Sequence, residues 1–462
     1  MQRREFIAKT TAGYGALWLL PNIWSVQIHK PKKKAFAFRQ YRKDKTLAPV
    51  IQVTPDDGYY IHTFYDVTPW SPSQRYLALT QFPYQQKKPI RGDKVTICVV
   101  DLQEQTIEKV YESKGWGFQV GANVQWGNSG DRYLYANDII AGKTVCVRID
   151  LENYEARAYA GPKYDISPDE RYVISANLNN MDLHQYGYSV PGLPGKALEP
   201  FTRKDMPHEG LWRTELKTNK KELLVPLTSF YEASSDQAFY NWGIWYLFHS
   251  KYNKQNTRIM QVFRCQINGN GRYASLFTMD MDGGNLTEAL SREKWSQQAR
   301  LGGSGNHPNW HPDGEHIIMN CIPTWMGLDD MLFCQFRYDG SDFKVLTEKH
   351  IGSGHPSIEA SSRFLVTDAY VKQEYVVTND EVPIRLIDLL TDEEYILCTI
   401  SNDVGGNGEM YTNEDRIIGG SQHKLDPHPA WSRDYKKVCI NGAPDGARQV
   451  FVIDVSEWIK DI

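Results

Sequence analysis

Short apolar segments alternate with polar turns along most of the chain. Several share one form, in which a short apolar start, often carrying proline, leads into a turn rich in Ser, Pro, Asp and Gly and then into an alternating, β-branched stretch. This pattern predicts a β-hairpin, because the turn residues reverse the chain and the alternation buries every second side chain. The segments span residues 68–79, 165–175, 307–319, 355–366 and 428–440, with a degenerate member at 124–135.

These hairpins recur at spacings of some tens of residues, which is typical of a β-propeller. No long stretch has a clean 3.6-residue period, so few helices are expected. The span from about Tyr41 to Ile462 divides into seven blades of roughly 60 residues each, with six or eight blades as alternatives. We therefore predict an all-β chain with one seven-bladed propeller domain over residues 35–462.

Composition narrows the class of protein. Charged residues make up 23% and hydrophobic residues 41% of the 462 residues, which excludes global disorder. The net charge of −4 argues against a nucleic-acid partner, since such proteins normally carry a basic surplus. The 13 Trp and 27 Tyr residues suit either large β cores or sugar-stacking surfaces. Seven cysteines without a C-x-x-C spacing favour small buried hydrophobes over a disulfide framework.

The amino terminus carries the features of a targeting signal. Arg3 and Arg4 precede a short apolar stretch from Thr10 to Leu20, an order typical of twin-arginine export. The stretch is shorter than the roughly 20 residues that a membrane-spanning helix needs. We assign residues 1–34 to a signal peptide and linker, and expect a periplasmic or secreted protein that has no membrane association after signal removal.

Three histidines open a repeat at the same position, each followed by proline: His307, His355 and His428. Equivalent positions on the innermost strands of a propeller face the central channel, so these imidazoles should converge near the axis. His249, one blade earlier, is a candidate fourth ligand, and His423 and Asp426 are nearby alternatives. Several imidazoles around one point suit a divalent metal, with zinc or manganese favoured.

A catalytic histidine cluster without metal, or local structural caps, would also account for these histidines. The remaining turn and surface histidines receive no role: His29, His311, His316 and His350.

Taken in order, several motifs resemble the β-propeller polysaccharide lyases, both oligogalacturonate lyases and ulvan lyases. The resemblance covers most of the chain after about Tyr60. Its motifs lie at residues 116–126, 137–138, 167–169, 186–188, 210–213, 367–368 and 446–456, together with the histidines that open the repeats. Oligogalacturonate lyases hold a divalent metal with histidines of this type, and ulvan lyases carry zinc.

The resemblance implies β-elimination on a uronic-acid sugar. Such a reaction needs a cation to neutralise the carboxylate, a base for the C5 proton and an acid for the leaving oxygen. The matching motifs point to Tyr188 as base or acid and to Arg213 as the carboxylate-binding cation, with Arg264 and Arg448 as weaker alternatives.

One departure from the ulvan lyases concerns the base. Gln119 and Asn137 occupy positions that hold catalytic histidines in that family, and neither side chain can act as a base. His184 or His208, near Tyr188 and Arg213, could supply the imidazole, as could the region of His249 and His307. The expected substrate-binding residues are Trp116, Gln119, Asn137, Arg264 and Arg448.

We therefore predict a secreted, metal-dependent lyase whose partner is a uronate-containing oligo- or polysaccharide. A non-catalytic propeller of the TolB type, binding a glycan or protein with a structural metal, is the alternative. A propeller hydrolase is disfavoured, because the chain has no G-x-S-x-G motif and no additional α/β domain.

Overall fold

The fold is known from a computed structural model that describes residues 24–28, 30–85, 87, 89–185, 187–191, 204–267, 270–297, 304–370, 381–404 and 425–460. Within these ranges the chain forms 31 strands, arranged in seven antiparallel sheets, and four short α-helices. The sheets form a ring, which confirms the seven-bladed all-β propeller. The predicted alternatives of six or eight blades are wrong.

Four short strands precede the first blade. They are β1 (Trp24–Gln27), β2 (Lys34–Ala35), β3 (Arg39–Gln40) and β4 (Val50–Gln52). The predicted signal peptide falls largely on residues 1–23, which lie outside the described residues.

Blades 1 to 3 follow in chain order. Blade 1 has β5 (Tyr59–Ile61), β6 (Tyr76–Phe82), β7 (Val95–Asp101) and β8 (Thr106–Ser113). Blade 2 has β9 (Gln125–Trp126), β10 (Tyr133–Ile140), β11 (Lys143–Asp150) and β12 (Glu155–Ala158). Blade 3 has β13 (Asp165–Ile166), β14 (Tyr172–Ser175), β15 (Gly210–Glu215) and β16 (Lys221–Pro226).

Blades 4 to 7 complete the ring. Blade 4 has β17 (Ile244–Tyr252), β18 (Arg258–Ile267), β19 (Asn270–Asp280) and β20 (Thr287–Leu290). Blade 5 has β21 (Asn306–Trp310), β22 (His316–Cys321), β23 (Leu332–Arg337) and β24 (Lys344–Ile351). Blade 6 has β25 (Ser357–Ile358), β26 (Phe364–Thr367), β27 (Glu381–Asp388) and β28 (Glu393–Ser401). Blade 7 has β29 (Ala430–Trp431), β30 (Lys437–Gly442) and β31 (Gln449–Asp454), and its fourth strand is β4.

Among the described residues, one helix lies between two strands of blade 3 and three lie in connections between blades. They are α1 (Leu178–His184), α2 (Leu227–Ala233), α3 (Gln237–Tyr240) and α4 (Arg292–Trp295). Among the helices described, none is both long and apolar enough to cross a bilayer.

The two ends of the chain close the ring together. β4 pairs with β31 in blade 7, with Ile51 opposite Val452. β3 extends the same sheet, while β2 pairs with β8 of blade 1 and β1 pairs with β12 of blade 2. The amino-terminal strands therefore cover the outer edges of three blades, where unpaired backbone groups would otherwise be open to other chains.

The repeat tryptophans join neighbouring blades. The indole Nε1 of Trp126 donates to the Pro69 carbonyl of blade 1 at 2.9 Å. Trp310 and Trp431 likewise donate at 3.2 Å to carbonyls of blades 4 and 6. All three rings are buried. Much of the aromatic content thus packs the blade interfaces, and all seven cysteines are free and buried, as the sequence predicts.

Candidate metal and catalytic site

The seven blades share one turn geometry that fixes the register of the inner strands. In each blade one residue closes the turn between the first and second strands, because its backbone N–H donates to the backbone carbonyl at the start of the second strand. We call it the turn residue. The turn residues are Ser71, Gly127, Ser167, Asn253, His311, Glu359 and Ser432.

Counting back four places from each turn residue gives one equivalent position per blade, the channel position. Its occupants are Val67, Asn123, Lys163, His249, His307, His355 and His428. Four consecutive blades therefore carry histidine at one register. This places His249 in the set, although it lacks the proline that follows the other three.

A local backbone irregularity turns several of these side chains toward the axis. His249 lies at a register shift in β17, and His307 lies at another in β21. His249, His307 and His428 have φ angles of 62°, 55° and 50°, in the left-handed region. A bulge with such a residue re-aims one side chain without disturbing the rest of the strand, and bulges are frequent beside functional sites.

His355, Asp426 and His428 form a group that could hold a metal ion. Each offers one ligand atom, and these atoms all lie within 4.8 Å of one another. All three residues are buried, with the His428 Nε2 atom 4.0 Å from the Asp426 Oδ2 atom. The Nε2 atom of His355 is buried and has no hydrogen-bond partner. An imidazole lone pair in that condition suits a cation, so the donor set fits a divalent metal.

Asp368 holds the two histidines of this group. Its carboxylate accepts the His355 Nδ1–H at 2.9 Å and the backbone N–H groups of His355 and His428 at 2.7 and 3.2 Å. Burial would raise the pKa of Asp368, but the His355 ring and these N–H groups outweigh it and lower that pKa. Asp368 is thus ionised, and its carboxylate orients His355 and His428.

His307 lies beside this group. Its ring centroid is 4.0 Å from that of His355, and its Nδ1 atom is 2.7 Å from the Gly354 carbonyl. Because a carbonyl only accepts, Nδ1 carries the proton and Nε2 is the basic nitrogen. The Tyr370 hydroxyl is 3.3 Å from that Nε2. His307 is half-buried, whereas His355 and His428 are fully buried.

His249 is more deeply buried than His307. Its Nδ1 atom is 2.8 Å from the Tyr164 hydroxyl, and its ring stacks on Phe64 at 5.6 Å. Burial, and then the charges of Lys251 and Arg264, lower the pKa of His249 well below its ordinary value. His249 is therefore neutral. It lies beside the group of His355, Asp426 and His428 but is not one of the three residues whose ligand atoms lie within 4.8 Å of one another.

Two further predicted residues lie next to the histidines. The Arg264 guanidinium stacks 4.6 Å from the Phe248 ring and donates to the Gln185 amide oxygen at 2.6 Å. The buried Tyr188 ring makes edge contacts with Phe64 at 5.7 Å and Phe248 at 5.1 Å. Phe64 itself contacts the rings of three of the histidines. Arg264 and Tyr188 thus belong to the same neighbourhood through shared aromatic contacts.

Other predicted residues are engaged elsewhere. Arg213, on β15, pairs with Glu222 at 2.6 Å and donates to the Met281 carbonyl at 2.8 Å. His208 is exposed at the end of a 3₁₀ turn (Met206–His208). His184 has its Nδ1 atom 2.6 Å from the Gln266 amide oxygen.

The residues expected to bind substrate near blade 2 are bonded within the protein. The Asn137 amide exchanges two hydrogen bonds with the Lys163 backbone, at 2.7 and 2.8 Å. The Trp116 indole donates to the Asp93 carbonyl at 3.0 Å, and the Gln119 side chain is buried. Arg448 is fully buried and donates to the Phe118 carbonyl at 3.3 Å. His29 and His423 lie outside the described residues.

Sequence reasoning assigned no role to Asp368, Tyr370, Asn123 or Lys163. Asn123 and Lys163 could have been found from the sequence, since counting four places back from the turns of blades 2 and 3 reaches them. The Lys163 ammonium donates to Asn123 and Gln125 at 3.2 and 3.0 Å, and burial lowers the pKa of Lys163 to about 8. The contacts of Asp368 and Tyr370 depend on tertiary packing and leave no signal in the repeat.

Comparison with known proteins identifies similar folds. No protein-family profile and no curated sequence matches the chain. The solved structure of an oligogalacturonate lyase in complex with manganese is 14% identical, with a TM-score of 0.63 over 94% of this chain and 100% of that one. An oligogalacturonate lyase from Vibrio parahaemolyticus is 15% identical, with a TM-score of 0.60 over 93% of this chain and 100% of that one. At these identities the likeness establishes a shared propeller fold.

Proposed function

We propose that this protein is a metal-dependent polysaccharide lyase that cleaves uronate-containing glycans by β-elimination. The observation that carries the proposal is the buried group of His355, Asp426 and His428, with His307 and Arg264 beside it. The fold it occupies resembles that of an oligogalacturonate lyase solved with manganese, which favours this chemistry over other propeller functions.

The residues that would hold the ion are His355, Asp426 and His428. When bound, a divalent ion such as Mn²⁺ or Zn²⁺ would supply positive charge against the substrate carboxylate as the C5 proton leaves. Two imidazoles and one carboxylate suit either metal. Asp368 would keep His355 in the tautomer whose Nε2 lone pair faces the site.

His307 is the residue we assign as base. The Gly354 carbonyl holds the proton on its Nδ1 atom, so Nε2 carries the lone pair that would take the C5 proton in exchange for its contact with the Tyr370 hydroxyl. The C–H electron pair would become the C4–C5 double bond as the bond from C4 to the leaving oxygen breaks. His249 suits this role less well, because it is buried and bonded to Tyr164.

Arg264 and Tyr188 complete the assignment. Arg264 lies over the Phe248 ring, which adjoins His249, and its planar guanidinium would bind a substrate carboxylate held at the histidines. Tyr188 would donate the proton to the departing glycosidic oxygen. Arg213 is less suited to bind substrate, since Glu222 already neutralises it.

The proposal includes export. Residues 1–34 would act as a twin-arginine signal and linker, followed by the propeller at 35–462. In that arrangement the linker keeps β1 and the start of β2 against blades 2 and 1, and export would bring the enzyme to extracellular glycans.

The test uses purified protein loaded with Mn²⁺ or Zn²⁺ and incubated with oligogalacturonate, ulvan or glycosaminoglycan fragments. A C4–C5 double bond absorbs in the ultraviolet, so absorbance should rise with at least one substrate. The His307→Gln variant should abolish the rise. His350→Gln should retain it, because His350 lies on β24, where it contacts Asp392 and Glu394. No rise with any uronate glycan would overturn the proposal and favour a binding propeller.

A further inference from the structure

A cavity of about 480 Å³, here called the lower cavity, lies next to the histidines, since Tyr65 in its wall contacts the rings of His307 and His355 at 5.7 and 5.2 Å. The channel position precedes each turn residue by four, whereas in blades 2 to 5 the lining includes the residues two places before the turn residue, Gln125, Asp165, Lys251 and Asn309. Blade 1 contributes earlier residues as well, Tyr65, Asp66 and the channel-position residue Val67. None of the four channel histidines lines this lower cavity.

Two residues that line the lower cavity each carry a buried polar atom without a hydrogen-bond partner. These atoms are the Asp66 Oδ1 atom and the Tyr252 hydroxyl, on side chains that are about nine-tenths or more buried. The other Asp66 oxygen lies 2.5 Å from the Lys251 ammonium, which also donates to Pro308 at 2.7 Å and Tyr65 at 3.2 Å. Lys251 has thus used its three protons, and Asp66 Oδ1 needs another donor.

Burial raises the pKa of Tyr252 well above its ordinary value, so its hydroxyl keeps a proton to donate. A partner that fits the lower cavity must therefore donate to a carboxylate and also exchange a hydrogen bond with a phenol. Hydroxyl groups do both.

The charged groups lining the lower cavity are engaged with protein partners, which favours a neutral ligand. Asp66 pairs with Lys251 at 2.5 Å, and Asp165 accepts from the Gln125 amide at 2.9 Å and the Tyr252 backbone N–H at 2.8 Å. The cations at the mouth have protein partners, since Lys254 donates to the Tyr435 hydroxyl at 2.9 Å and Arg433 donates to the Trp70 carbonyl at 3.1 Å. The walls include Tyr65, Trp310 and Trp431 among other aromatic residues, which suit the apolar face of a sugar ring.

We propose that the lower cavity is a second ligand site, for a neutral, hydroxyl-rich molecule of mono- or disaccharide size. Its volume is within the range of small-molecule sites, and it combines aromatic walls with a few fixed polar groups. This proposal does not depend on lyase activity at the histidines.

The test is calorimetric titration of the full chain with D-glucose, D-galactose and cellobiose, with D-glucuronate as the charged comparison. At least one neutral sugar should bind saturably. Tyr252→Phe should weaken that binding about fivefold or more while leaving the melting temperature near that of the wild type, because only the hydroxyl is lost. Tyr240→Phe, which removes a hydroxyl bonded to Ser275 on a residue outside the lower cavity, should leave the affinity unchanged.

Asp66→Asn gives a second variant that keeps the side-chain shape and removes the charge. It should also weaken sugar binding, and its unfolding midpoint must be recorded because Lys251 loses its partner. Absence of saturable binding by all three neutral sugars would show a cavity that holds ordered water only. Tighter binding of glucuronate, or binding that Tyr252→Phe leaves unaltered, would equally overturn the proposal.

Discussion

The Nδ1 atom of His355 lies 2.9 and 3.0 Å from the two carboxylate oxygens of Asp368, in a pair that is fully buried. This contact fixes the imidazole tautomer and its ring orientation at once. It also leaves the Nε2 atom as the only coordinating nitrogen of His355, facing a group whose other members are Asp426 and His428. Asp368 is therefore a positioning residue, acting through His355 on any bound ion.

Asp368→Asn should lower metal affinity by about 10- to 100-fold, the range typical for loss of a carboxylate behind a histidine ligand. The amide is nearly isosteric and can still accept one hydrogen bond, so the chain should fold. Titration with Mn²⁺ or Zn²⁺, followed by elemental analysis, measures the effect.

Asp388→Asn is the matched control in the same blade. Asp388 is also buried and pairs with Arg363 at 2.6 Å, away from the histidines. This variant should lose stability but keep its metal. Equal metal content in the Asp368→Asn variant and the wild type would contradict the positioning role.

Arg264→Gln should raise KM for a uronate substrate by roughly 30-fold, as expected for losing about 2 kcal/mol from a hydrogen-bonded charge pair. Arg213→Gln provides the comparison, since Arg213 is bound to Glu222 and Met281 on the outer part of blade 3 and should leave KM unchanged. Initial rates of unsaturated product formation decide between them. The reverse pattern would move the carboxylate site to Arg213.

Tyr188→Phe should lower kcat by about 10²-fold or more, because the proton for the leaving oxygen is lost. The phenyl ring retains the edge contacts with Phe64 and Phe248, so the melting temperature should stay within a few degrees. Tyr240→Phe, which removes a hydroxyl bonded to Ser275 within blade 4, should leave kcat unaffected. A parallel loss of kcat and stability would identify Tyr188 as structural.

The repeat made the fold and the convergence of histidines predictable. The prediction of seven blades came from dividing the span after about Tyr41 into units of roughly 60 residues, and a shared motif position in different blades implied a shared distance from the axis. His249 lacks the adjacent proline, yet its spacing from His307 was enough to include it. Such inferences succeed because a propeller converts sequence register directly into radial position.

The finer chemistry of the site does not follow from register. Which groups meet within ligand distance depends on bulges and on side chains such as Tyr164, which holds His249, and Gly354, which holds His307. The sequence motifs favoured Arg213 over Arg264, and the contacts of Arg213 with Glu222 and of Arg264 with Gln185 are visible only in the structure. These contacts join residues far apart in the chain, so no local pattern encodes them.

The last prediction concerns Lys163, the cation at the channel position of blade 3. Burial lowers the pKa of Lys163 to about 8, with Asp165 partly opposing the effect. An unfolded lysine titrates near 10.4. Below pH 8 both states are protonated and folding carries the full cost of burying the ammonium group. Between pH 8 and about 10.4 the folded state loses the proton first, so this cost falls, and above that range it is gone.

The wild type should therefore gain stability relative to Lys163→Met as pH rises from 8 to 10, by up to about 3 kcal/mol. Denaturant unfolding of both proteins at pH 7, 8, 9 and 10 gives the difference in the free energy of unfolding, in which titrations common to both cancel. Lys349→Met, at an exposed lysine, should show no such trend. A difference that stays constant over this range would mean that Lys163 keeps its proton in the folded protein, held by Asn123 and Gln125.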